Sequence, residues 1–89
     1  MSSSPQWLPR KIAFTIANKG YYVSLHSTSM LVMDKDMYVA SIHIYPLDRV
    51  CIARFYKYNK RILEHKIQIL SLLEKFCAKV EHELVPLED

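Results

Sequence analysis

The chain has 89 residues, 51% of them apolar and 24% charged, with one glycine and a formal net charge of +3. That length holds one modest core and excludes a pair of domains, and the composition excludes a disordered chain. The lone glycine also excludes a glycine-rich phosphate loop.

The charge is unevenly spread. Residues 1–66 carry ten Lys/Arg against four Asp/Glu, and residues 67–89 carry two against five. Within 49–66, Arg49, Arg54, Lys57, Lys60, Arg61 and Lys66 face a single acid, Glu64, an excess that steers anionic partners. The N-terminal Met1-Ser-Ser-Ser-Pro-Gln-Trp-Leu-Pro-Arg-Lys has no apolar signal-peptide core, and runs such as Met30–Met33 are too short to span a bilayer. Cys51 and Cys77 match neither a disulfide framework nor a zinc motif, which predicts buried free thiols and a soluble, intracellular, cytoplasmic protein.

Ser4-Pro5 reads as an N-cap with Pro at the first helical position, and Pro9 is an alternative start. Ile12, Ala13, Ile16 and Ala17 then keep helical spacing until Lys19-Gly20 ends a first helix near Asn18. From Tyr21 the period becomes two, predicting a strand through His26. A polar break at 26–29 separates it from Met30-Leu-Val-Met33. Asp34-Lys-Asp36 is a turn, 37–45 a strand, Pro46-Leu-Asp48 a turn, and 49–57 a further strand. Asn59 is the expected N-cap of one long helix from Lys60 to about Leu84. Its apolar arc, with Ile62, Ile69, Leu70, Leu73, Phe76, Cys77, Val80 and Leu84 widened by Leu63, Ile67 and Leu72, exceeds the roughly 100° stripe of a surface helix.

The expected fold is a single α+β domain over 1–89: a helix, a three- or four-stranded antiparallel meander, and a long C-terminal amphipathic helix. Residues 1–4 and 86–89 are expected as flexible tails. A 25-residue helix is about 37 Å long, so it would overhang its sheet and leave apolar surface for a partner. The middle strand agrees, because neither its Tyr38/Ala40/Ile42/Ile44 face nor its Met37/Val39/Ser41/His43/Tyr45 face is cleanly polar. Helices on opposite sides of the sheet would account for the same pattern.

Chemistry-bearing constellations are sparse. His26, His43, His65 and His82 lack metal-ligand spacing. The polar run Ser24, Ser27, Thr28, Ser29 and mid-strand Cys51 lack an oxyanion turn, and Asp34, Asp36 and Asp48 sit in turns where Asp serves the backbone. No enzyme activity, cofactor, metal site or small-molecule substrate is expected. The expected function is a non-catalytic accessory protein that homodimerises or docks on a larger protein, as a subunit of a nucleic-acid-processing complex. Ile69, Leu72, Leu73, Phe76 and Val80 are its apolar anchors. The alternative is direct nucleic-acid binding, DNA or RNA, through Arg54, Tyr56, Lys57, Tyr58, Lys60 and Arg61, where rings stack bases and cations neutralise phosphates.

The order helix, meander, long helix is similar to that of the double-stranded-RNA-binding domain, in which a Lys-Lys-x-Ala-Lys pattern opens the second helix and grips phosphates. Lys60-Arg-Ile-Leu-Glu64 is the corresponding stretch. Lys60 and Arg61 fit its first positions, whereas Leu63 replaces the alanine and Glu64 puts an anion where that family has a cation.

Overall fold

A computed structural model describes residues 6–86. Its elements are α1 (Trp7–Ala17), β1 (Tyr22–His26), β2 (Ser29–Asp34), β3 (Met37–Tyr45), β4 (Val50–Tyr56), α2 (Ile62–Phe76) and β5 (Lys79–Val85). The Ser4-Pro5 cap and the outermost tail residues lie outside the described span. Pro9 is accommodated within the first turn of α1, where its missing N–H has no intrahelical acceptor to lose. Gly20, at φ 104°, supplies the left-handed residue that releases the chain from α1 into β1.

The α+β class and the helix-first order agree with expectation, and β1 to β4 form the antiparallel meander in its four-stranded form. Two-residue loops close β1–β2 and β2–β3, with Ser27 and Lys35 at positive φ as such tight hairpins require.

The C-terminal third departs from expectation. The helix ends at Phe76, and the chain continues as β5, parallel to β4, in a five-stranded mixed sheet ordered β1-β2-β3-β4-β5. Thus α2 is 15 residues long and is not the last element, and the likeness to the double-stranded-RNA-binding order fails there. The misreading has a simple origin. Val80 and Leu84 are four apart, a spacing that suits one helix face and, as twice two, one strand face equally well. Cys77 settles the matter locally by turning extended (φ −109°, ψ 137°) while Ala78 N–H donates to the Arg49 carbonyl at 2.7 Å.

Both helices lie on one face of the sheet. That face is apolar, with Met30, Val32, Ala40, Ile42, Ile44, Cys51, Ala53 and Phe55 buried against Leu8, Ile12 and Ile16 of α1 and Ile69 and Leu73 of α2. A β-bulge opposite Val32/Met33 makes Val39 the extra residue of β3. It lets adjacent Val39 and Ala40 both be buried and turns Tyr38 to the uncovered face, where its ring meets Tyr56 at 6.0 Å.

Cys51 and Cys77 are joined by a disulfide, with 6.1 Å between their Cα atoms. They are not the free thiols expected, and the intracellular expectation loses the support those thiols supplied. The pair forms because α2 returns the chain to the start of β4, a proximity that a sequence separation of 26 conceals. No helix among the described residues is long and apolar enough to cross a membrane.

Candidate interaction surface

Three of the five expected anchors are built into the chain's own core. Ile69 and Leu73 are fully buried and Leu72 is 5% exposed. Phe76 is half-buried against that core, and Val80, also half-buried, stands on β5 rather than on the helix. A helix of four turns does not overhang the sheet, so most of the wide apolar arc is used internally.

A different apolar set is left outside. On α2, Leu63 and Ile67 are 60% and 70% exposed; on α1, Trp7 and Phe14 are 54% and 60% exposed. Each pair has helical spacing, i,i+4 and i,i+7, and each lies on the side of its helix away from the sheet. The helices pack against each other, and Tyr21, just beyond α1, bonds to His65 in the first turn of α2. That tie puts Phe14, late in α1, and Leu63 with Ile67, early in α2, at the same end of the helical layer. Arg10 and Lys11 lie between Trp7 and Phe14 and complete a shallow groove with them. Helix α1 carries no acid, and the Arg49 guanidinium sits 5.7 Å from the Trp7 ring centroid. Singly scattered apolar side chains are ordinary, but exposed pairs that repeat on the outer faces of two adjacent helices are the kind of surface that marks a protein contact.

The six residues of the nucleic-acid alternative divide between two surfaces. Arg54 and Tyr56 face outward from the uncovered sheet, where Arg54 Nε lies 3.3 Å from Glu83 Oε2 on β5. Lys57 follows at the end of β4. Tyr58, Lys60 and Arg61 line a cleft together with Asp34 and Asp36. There the Tyr58 hydroxyl accepts a bond from the Tyr38 amide at 2.8 Å, and Arg61 Nη2 donates to Glu64 Oε1 at 2.9 Å. A phosphate entering the cleft meets two carboxylates as well as the cations.

Beside that cleft lies a polar chain with no local sequence signal, since its members are far apart along the chain. The Tyr21 hydroxyl and His65 Nδ1 share a 2.7 Å hydrogen bond, and His65 Nε2 lies 3.3 Å from Asp34 Oδ2 without hydrogen-bond geometry. His65 and Tyr21 are 6% and 8% exposed, so only the Asp34 end of the chain reaches the cleft, and the chain ties the start of β1, the end of β2 and the first turn of α2 together. Burial first, and the nearby Asp34 carboxylate second, push the Tyr21 hydroxyl above its usual pKa. The folded state therefore holds this proton more tightly than the unfolded state. The stabilisation is complete below about pH 10 and is lost as pH rises through the folded value. Tyr21→Phe is expected to cost about 1–2 kcal/mol by leaving His65 Nδ1 unpaired, and to flatten the alkaline fall in stability; urea titrations at neutral and alkaline pH measure both.

Among the described residues no group of three or more His, Cys, Asp or Glu is arranged to hold a metal ion. No protein-family model, curated protein or solved structure matches this chain.

Proposed function

We propose that the chain is a non-catalytic accessory protein that docks on a partner protein through the outer face of its helical layer. The observation that carries this reading is the exposure of Trp7, Phe14, Leu63 and Ile67 while the core beneath them is already filled. Aromatic anchors with arginine beside them are the composition of interface centres. Arg10 and Lys11, with no acid on α1, ask for a partner whose apolar cleft is rimmed by carboxylates.

The double variant Leu63→Glu/Ile67→Glu tests this directly. Both side chains are exposed, so stability should move by no more than about 0.5 kcal/mol per site. Partner capture should fall at least tenfold, and Arg10→Glu/Lys11→Glu should weaken capture in a salt-dependent way. The captured protein, once identified, would be titrated against wild type and both variants by calorimetry. Equal affinity for all three chains would sink the proposal.

A second reading, single-stranded nucleic acid on the uncovered sheet face, is favoured by the Tyr38/Tyr56 ring pair and by His43 and Tyr45, whose rings are 4.7 Å apart. Against it, Glu81 and Glu83 of β5 share that face and Glu83 already neutralises Arg54. Binding to an oligonucleotide that disappears in Arg54→Glu/Tyr56→Ala, with a steep salt dependence, would favour this reading over the docking one.

A further inference from the structure

The two edges of the sheet are built differently, and the difference points to a second copy of this chain. Strand β5 carries Lys79, Glu81, His82 and Glu83 in seven residues, the charge pattern that keeps an edge from pairing. Strand β1, Tyr-Val-Ser-Leu-His over Tyr22–His26, has no Lys, Arg, Asp, Glu or Pro. Among the described residues its only strand neighbour is β2.

The register of the hairpin says which backbone groups are left over. With a two-residue loop, the flanking pair His26/Ser29 exchanges hydrogen bonds, and so do Ser24/Leu31 and Tyr22/Met33. The N–H and C=O groups of Val23 and Leu25 therefore point away from β2, and no other backbone group of the described residues bonds to them.

We infer that two copies pair antiparallel along β1, about a two-fold axis at Ser24. Val23 of one copy then lies opposite Leu25 of the other, and each such pair exchanges two hydrogen bonds, using all of the outward groups. Their side chains, which pack on the core face, extend the apolar layer from one copy into the next. Tyr22 lies across from His26 on the other face, so no like charges meet. A one-residue slip would set core-facing positions against open-face ones, so the register is specified. The charged β5 edges stop further growth, and the result is a closed dimer rather than a filament. This inference stands on the edge strand and not on the helical patch; the dimer would present two copies of that patch.

Light scattering on the purified chain should give twice the 10.5 kDa chain mass. Ser24→Lys, which sets two cations against each other at the axis on the uncovered face, should give the single mass with unchanged circular dichroism. Ser24→Cys should form a covalent dimer on non-reducing gels, because the central pair is a close, non-hydrogen-bonded one, whereas Tyr22→Cys and His26→Cys should not link to themselves. Leu63→Glu/Ile67→Glu should remain dimeric. A monomeric wild type at about 100 μM would overturn the inference, as would Ser24→Cys linking no faster than its neighbours. A mass that halves in the Leu63/Ile67 variant and not in Ser24→Lys would overturn it too, by moving self-association to the helices. Loss of partner capture without loss of dimer, or the converse, separates the two proposals.

Discussion

Leu72→Glu is expected to unfold the chain. Leu72 is 5% exposed on the sheet-facing side of α2, among Ile69, Leu73 and the β-strand core. Removing the leucine side chain alone costs about 2–5 kcal/mol, and an unpaired buried carboxylate adds several more. Small domains have about 5–15 kcal/mol in total, so the sum is comparable with the whole stability. Far-ultraviolet circular dichroism at neutral pH should show a collapse of the native spectrum, with partial recovery on acidification as the carboxyl group is neutralised. A chain that keeps its native spectrum and melts cooperatively would mean that Leu72 faces outward, and α2 would then have to be turned on the sheet. The matched control is Leu63→Glu, nine residues earlier on the outer face, where the same chemistry meets water and the fold should hold.

Reduction of the Cys51–Cys77 bond is the second large effect. The two residues are 26 apart in sequence, and a loop of that length corresponds to about 3.5 kcal/mol of unfolded-state entropy in the chain-closure description. For a domain of this size each kcal/mol moves the melting midpoint by about 4–8 °C, so the reduced chain should melt roughly 15–25 °C lower. Cys51→Ala/Cys77→Ala should melt close to the reduced chain and be insensitive to reductant. Cys77 leads directly into β5, so amide exchange in Lys79–Val85 should accelerate more than in β2 or β3, which hold the centre of the meander. Two thiols titrating in the unreduced, denatured chain, together with a midpoint unmoved by reductant, would show that the bond is absent.

How far the sequence was legible depended on the range of the signal. Strand β3 was readable to the residue, Met37–Tyr45, because its apolar pattern is bounded by Asp34-Lys-Asp36 and Pro46-Leu-Asp48. The end of α1 was readable from Lys19-Gly20, whereas the start of α2 was placed too early: the helix begins at Ile62 with Arg61 at its N-cap position, and Asn59 makes a turn ahead of it, its Oδ1 accepting the Arg61 amide at 3.0 Å. The outer patch was half readable. Leu63 and Ile67 already stood at the flank of the helical arc, yet Leu72 at the other flank is the one that is buried. A helical wheel gives the width of an apolar arc but not which part of it faces the sheet. That choice is made by where the sheet lies.

The sequence by itself determined the α+β class, an antiparallel meander of three or four strands, the positions of the turns and the basic excess around 49–66, because each is set by residues within a few positions of one another. Only the tertiary structure decided that 79–85 is a strand, that the two cysteines meet, that Tyr21 closes on His65, and that Ile69, Leu72 and Leu73 are core rather than contact surface. Each of these depends on β4 and α2 bringing distant segments together. A spacing of four is consistent with helix or strand until a neighbouring strand offers its free N–H and C=O groups. Here β4 offers them, and parallel pairing with Val50–Tyr56 takes the last apolar residues out of the helix.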